Sequence, residues 1–187
     1  MNRWALWVGG LAVLALLSGG MYVRDRNQIV RKNEQTKQTW SEVDVQLQRR
    51  ADLIPNLAGT VKGYARHEEA VFANVAAARA ALLSAQRPAD RMAANAQLDG
   101  VLSRLLAISE SYPQLKASEN FLGLQNQLEG TENRIAVARL RYNTSLQDYN
   151  VYISLFPHNL VARWAGFQRN NAYFGTAPDS ARAVFNR

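Results

Sequence analysis

Twenty-two Lys and Arg against fifteen Asp and Glu give this 187-residue chain a formal net charge of +7, and it holds no cysteine. The missing thiols exclude a disulfide framework and any thiolate metal site. The basic excess leans toward anionic lipid headgroups or acidic partners, while nucleic acid is set aside because no basic block is interleaved with aromatics.

Residues 4–23, WALWVGGLAVLALLSGGMYV, contain no charge and no Asn, Gln or His. At about 1.5 Å per residue a helix of this length reaches roughly 30 Å, the thickness of a bilayer's hydrocarbon core. The segment is therefore expected to be a transmembrane anchor. A cleaved secretory signal is the competing reading, since Arg3 before an apolar run fits its first two regions. The run is too long for that, Ser18-Gly19-Gly20 is a weak exit, and basic residues follow at once. Trp4, Trp7 and Tyr22 stand near the two ends, where amphipathic rings favour the headgroup layer. Ala5 and Gly9, like Ala15 and Gly19, have the spacing that lets two spans approach closely, one route to a homo-oligomer, although chance explains the match in so Ala- and Gly-rich a span. Arg3 faces Arg24, Arg26, Arg31, Lys32 and Lys37 across the span. That bias predicts an inner-membrane, single-pass protein with its soluble part in the cytoplasm and a short N-terminus outside.

After the span the charges are spread out and the apolar residues fall at intervals, leaving enough chain for one domain with a real core. Trp40, Val43, Leu47, Ala51, Ile54, Ala58, Val61 and Ala65 advance by threes and fours, the seam of an amphipathic rod. Pro55 lies inside it and removes a backbone donor, so the rod is kinked or broken there. The seam keeps its phase across Pro55, and Leu53-Ile54-Pro55-Asn56 lacks reversal chemistry, which favours a kink. Helical composition continues through the Ala-rich run Val71 to Leu83 and on to Ala85. Gln86-Arg87-Pro88-Ala89-Asp90 breaks it.

A third rod carries Leu98, Leu102, Leu105 and Ile108 to Tyr112, and Pro113 stops it. Ser118 is an N-cap candidate for the last rod. There Phe121, Leu124, Leu128, Thr131, Ile135, Ala138, Tyr142, Ser145, Tyr149, Tyr152 and Phe156 repeat three-four until Pro157. Gly123 and Gly130, each costing about 1 kcal/mol relative to Ala in a helix, suggest close helix contact. The pattern predicts an all-α fold in which the N-terminal transmembrane helix, residues 1–23, precedes an antiparallel up-and-down four-helix bundle of long helices over 24–157. In the tail, 158–187, Leu160, Val161, Trp164 and Phe167 share one helical face. Trp164 and Phe167 are read as a lid on the bundle end in preference to an interfacial contact. The final stretch from Gly175 is turn-prone and expected to be mobile.

Catalytic chemistry has little to stand on. His67 and His158 fit no metal-ligand spacing, His67 reads as a solvated helix residue, and no phosphate loop, dinucleotide fingerprint or nucleophile elbow occurs. No enzyme activity, metal or cofactor is expected. The aromatic stripe Tyr142, Tyr149, Tyr152 and Phe156 reads as core. Arg49, Arg50 and Asp52, a dense charge cluster beside Pro55, are the candidate docking surface, against the plain reading of solvated pairs.

WSEVDVQLQRRADLIPNL (Trp40 to Leu57), continuing into VKGYARHE, together with ENFLGLQNQLEGTENRIAVARLRYN (Glu119 to Asn143) and FPHNLVA (Phe156 to Ala162), resembles the LemA family over roughly residues 24–168. Three long separated segments agree in order, which makes the resemblance specific; residues 84–97 and the tail after Phe167 match poorly. The resemblance implies a bacterial membrane protein with one N-terminal span and a four-helix bundle, and it implies that Pro55 separates two antiparallel helices, against the phase argument. No settled biochemical activity comes with it. Relatives include a protein of magnetosome membrane formation, and an interaction role is what the resemblance suggests. The expectation is a membrane-anchored scaffold that meets lipid through its anchor and a protein partner of unknown identity through its bundle. The alternative is a membrane-remodelling or anionic-lipid-binding protein.

Overall fold

The computed structural model describes residues 3–65 and 67–175, and among them six helices and no strand. The helices are α1 (Arg3–Tyr64), α2 (Glu69–Ser84), α3 (Pro88–Glu110), the single turn α4 (Pro113–Lys116), α5 (Glu119–Tyr152) and α6 (His158–Trp164). The chain divides into two compact units. One comprises Met1–Gln38 with Asn143–Asn171, the other Thr39–Tyr142 with Ala172–Arg187. The expectation of a mobile end falls on residues 176–187, outside those described.

The larger unit is an up-and-down bundle. Its four long helices are α1 from Thr39 onward, α2, α3 and α5 as far as Tyr142. Directions follow from the cross-helix pairs. Arg79 of α2 reaches Ala51 and Asp52 of α1, Arg91 and Asn95 of α3 reach Asp44 and Arg50, and Arg141 and Glu132 of α5 reach Glu42 and Arg50. From the turn, where Glu68 meets Ala65, to Arg79 the partner number falls, along α3 it rises and along α5 it falls again, so successive long helices alternate in direction. The three-four seams form the core: Val43, Leu47, Ala51, Ile54, Leu57, Val61 and Ala65 on α1, Val75, Ala78 and Leu82 on α2, Leu98, Leu102 and Leu105 on α3, Phe121, Leu128, Ile135 and Tyr142 on α5. Burying each large apolar side chain stabilises the bundle by roughly 1.5–3 kcal/mol.

Pro55 neither ends α1 nor separates two helices, which corrects the expectation drawn from the resemblance; α1 runs through it. The reason lies on α2. A proline at 55 frees the carbonyl of Ala51, four residues earlier. Arg79 Nε donates to that carbonyl at 2.8 Å, so the orphaned acceptor is satisfied by a neighbouring helix. The reversal into α2 comes instead just after Ala65, where Glu68 N–H bonds the Ala65 carbonyl. Arg79→Met is expected to cost about 1.5–2 kcal/mol, the worth of a charge-assisted hydrogen bond. In a Pro55→Ala background the backbone N–H at 55 reclaims the carbonyl and the cost should fall by about 1 kcal/mol. Chemical unfolding of the four proteins in the cycle measures it, and equal costs in both backgrounds would refute the rescue.

Three further expectations need correction. The last rod stops at Tyr152, short of Pro157, and Phe156 is 78% exposed, off the seam. A Cβ built on Gly123 or Gly130 meets nothing within 4 Å, so neither glycine marks a close helix approach. His67 is solvated as expected but sits in the turn before α2, not in a helix.

In the smaller unit the first part of α1 is bare: every side chain from Trp7 to Met21 is exposed. This is the one helix among those described that is long and apolar enough to cross a membrane. Such an exposed apolar helix suggests membrane anchoring. Beyond the bare stretch Ile29, Tyr149, Ile153, Val161 and Ala162 form a small core, with Tyr22, Tyr152 and Phe167 packed against it.

Candidate docking surface

Arg49, Arg50 and Asp52 are neighbours in sequence, but successive helical residues point about 100° apart, and the three go separate ways. Arg50 turns inward, and the expectation that it belongs to a docking surface is corrected. Its side chain is 9% exposed, and Nη1 lies 2.5 Å from Asp99 Oδ1, 2.9 Å from Glu132 Oε2 and 3.2 Å from Asn95 Oδ1. Asn95, itself buried, donates from Nδ2 to the other Asp99 oxygen at 3.1 Å. One guanidinium thus joins α1, α3 and α5. The signal was in the seam: Arg50 follows Leu47 by three and precedes Ile54 by four, which places it on the buried face. A second inward pair, Asp44 with Arg91, joins α1 to α3, and Arg91 Nη1 also donates to the Ala85 carbonyl at the end of α2.

Asp52 is exposed and faces α2, where it accepts from Gln48 Nε2 at 3.0 Å and lies 4.0 Å from Arg79. Arg49 is exposed and faces α5. With Leu53, one turn on, it forms one wall of a groove whose other wall is Asn126, Gln127, Gly130, Thr131 and Arg134. The α5 residues recur at three and four, so they share a face. Gly130 adds no side chain to that wall, and the Thr131 hydroxyl donates back to the Gln127 carbonyl at 2.7 Å.

The groove has a volume near 270 Å³. Small-molecule pockets are commonly about 300–1,000 Å³ and enclose their ligand, so an open groove at the lower edge of that range suits a side chain or short peptide segment better. Its electrostatics are one-sided. Neither Arg49 nor Arg134 has a carboxylate partner among the described residues, whereas Arg50, Arg79, Arg87, Arg91 and Arg141 all do. Asn126 and Gln127 add amide donors. Sequence reasoning found Arg49 but missed the α5 wall, because exposed Asn, Gln and Arg on a helix look like any solvated face.

Beside the bundle core, Trp40, Tyr142 and Phe174 form an aromatic cluster, with ring centroids 5.3–5.9 Å apart and Arg139 5.0 Å from the Phe174 ring. Burial, with Tyr173 nearby, pushes the Tyr142 phenol up to about 12, so this ring stays neutral and structural. The stripe is core through Tyr149, as its spacing suggested.

The tail and anchor residues belong to the smaller unit. Trp164 and Phe167 do not act together: Phe167 packs on the small core, and Trp164 is 81% exposed. Trp4 and Trp7 project from the bare helix, while Tyr22 is half-buried against the same core as Phe167. His158, unremarkable in sequence, stacks on Tyr152 with centroids 4.0 Å apart and places Nδ1 3.1 Å from the buried carboxylate of Asp25. Among the described residues no cluster of His, Asp and Glu is placed to hold a metal ion.

With that geometry in hand, comparison with known proteins gives consistent results. The LemA family model matches residues 39–185. The chain is 27% identical over 201 residues to magnetosome protein MamQ 2 of Paramagnetospirillum magneticum, covering 91% of this chain and 74% of that protein. It is 28% identical over 178 residues to magnetosome protein MamQ of Magnetospirillum gryphiswaldense, covering 81% and 65%. Protein LemA of Metamycoplasma hominis is 23% identical over 144 residues, covering 76% and 66%. The chain therefore spans about two thirds to three quarters of the length of these relatives.

Proposed function

Since the chain belongs to the LemA family, we propose that it is a single-pass inner-membrane protein whose bundle is a docking scaffold, with the α1/α5 groove receiving an acidic segment of a partner protein. The observation that carries this reading is the pair of arginines, Arg49 and Arg134, that line the groove and have no carboxylate partner among the described residues. Arg50, Arg79, Arg91 and Arg141, by contrast, pair with carboxylates on neighbouring helices of the bundle. The five basic residues that follow the span support a bundle on the cytoplasmic face with the N-terminus outside. No catalytic step belongs to the reading; the work is recruitment to one membrane.

A photoreactive residue at Asn126 of the full-length protein, crosslinked in intact cells, tests it. The captured peptide should carry net negative charge. Arg49→Glu with Arg134→Glu should reduce capture about 10- to 100-fold, because each reversed contact weakens association by about 1 kcal/mol or more. A basic or neutral peptide at this position, or capture indifferent to charge reversal, would sink the proposal. Both arginines are exposed and have no ion pair among the described residues, so the variants should be within about 0.5 kcal/mol of the parent in stability.

A further inference from the structure

We infer that the turn after α5 and helix α6 form a second membrane contact, seated in the phospholipid headgroup layer where the span leaves the bilayer. The argument rests on the anchor reading and on register within the smaller unit. There α1 and the end of α5 run antiparallel: the Thr36 hydroxyl lies 3.3 Å from the Ser145 carbonyl, Lys32 sits over the Tyr152 ring at 5.6 Å, and Asp25 meets His158 at 3.1 Å. Each step toward the span on α1 is a step toward the C-terminus on the other strand of chain. The start of α6 therefore lies at the level of Asp25. That is two residues past Val23, or about 3 Å along the helix. The headgroup layer is about 5–7 Å thick on each side of the hydrocarbon, so residues at this level lie within it.

The side chains there suit that layer and not water. Buried Val161 and Ala162 hold α6 on Ile29, Tyr149 and Ile153, and Tyr22, in the last turn of the span, packs on the same small core. What the turn and α6 leave outside is apolar: Leu155 is 55% exposed, Phe156 78%, Leu160 43% and Trp164 81%. Phe156 and Trp164, two of the largest side chains in the protein, keep about four fifths of their surface open. Arg24, Arg26 and Arg163, all exposed, supply cations for lipid phosphates at the same depth. Aromatic residues with neighbouring arginines are the usual composition of an interfacial contact. Continuity with the span settles the choice of occupant, since the same bilayer is already present at this level. The role of this second contact is orientation: one helix alone leaves a protein free to tilt and turn about its anchor, and two attachment points fix which face it presents.

The chain has no cysteine, so single-cysteine variants of the full-length protein can be nitroxide-labelled directly and reconstituted in vesicles of mixed neutral and anionic phospholipid. Labels go at Phe156, Trp164, Leu17 and Arg31, the first two retaining an apolar group in place of the ring. Accessibility is read to oxygen, which concentrates in lipid, and to a nickel chelate, which stays in water. Labels at Phe156 and Trp164 should favour oxygen several-fold over the label at Arg31, with Leu17 more lipid-exposed still. If Leu17 is in lipid while Phe156 and Trp164 behave like Arg31, the second contact is overturned and the anchor stands. Protection of both positions from both reagents means that protein covers them, which also overturns a lipid contact. A water-exposed Leu17 would overturn the anchor reading and this inference with it.

Discussion

Replacing Leu11 and Leu14 with arginine is expected to move the protein from alkali-washed membranes into the supernatant. Both side chains lie near the middle of the bare stretch of α1 and are 66% and 61% exposed. Each arginine near the centre of a spanning helix costs about 2.5–3.5 kcal/mol, and losing each leucine forfeits a few tenths more. Together they amount to about 6 kcal/mol, or roughly four decades in the partition between bilayer and water. The outcome separates two meanings of an exposed apolar helix. If lipid is its solvent, the double variant leaves the membrane fraction. If the helix is only a sticky surface in water, two arginines improve solubility and leave the fractionation as it was. Leu140→Arg, at a side chain 68% exposed on the larger unit, is the matched control and should change nothing. The span supplies retention, while the turn and α6 add too little apolar area to hold the chain alone, so the variant tests the anchor without help from the second contact.

Local periodicity carried most of the fold. The seams on α1, α3 and α5 could be read because a helix that buries one face must repeat near 3.6 residues, and burial followed the repeat at most positions from Val43 to Ala65 and from Phe121 to Tyr149. Leu57 and Leu146 are buried outside the expected seam, whereas Ala58 and Leu124, expected on it, are only half-buried. What failed was whatever depends on a partner distant in sequence. Pro55 drew attention as a break because the cost of a proline is local, but the Arg79 donor that offsets it lies 28 residues from the Ala51 carbonyl it serves and has no local signature. The true reversal follows Ala65, where neither Gly nor Pro announces a turn. Gly123 and Gly130 suggested contact because small residues are used for close packing, yet here one of them only opens a groove. Within the candidate site Arg49 was legible as surface and Arg50 was misread beside it. A charge is assumed to seek water unless its phase with the seam is checked, and at position 50 phase outranks polarity because three polar groups on two other helices receive it.

That arrangement makes Arg50→Ala the substitution with the largest expected effect on stability. The guanidinium is nearly buried, and its removal deletes more than its own packing. Asp99 and Glu132 now share one cation; without it two carboxylates confront each other across α3 and α5, and buried Asn95 loses the donor that its Oδ1 accepts from. Removing one partner of a fully buried ion pair costs about 3–5 kcal/mol. Here the carboxylate side chains are 40% and 45% exposed, so water takes up part of the loss. The expected cost is about 2–3 kcal/mol, a fall in Tm of roughly 6–10 °C for a chain of this size. Asp99→Asn or Glu132→Gln should each cost about 1 kcal/mol or less, since the other carboxylate keeps the guanidinium paired, and the two losses should not add. The decisive comparison is with the next residue. Arg49→Ala removes the same side chain from the same helix, but from a site with no partner to strand, and should fall within about 0.5 kcal/mol of the parent. Thermal unfolding of the full-length protein in detergent, followed by circular dichroism at the helix band, reads both variants. Equal melting shifts would mean that Arg50 contributes no more than a solvated surface charge. A large shift for Arg50 alone would show that adjacent arginines divide the work, one holding three helices in register while the other contributes nothing to the fold.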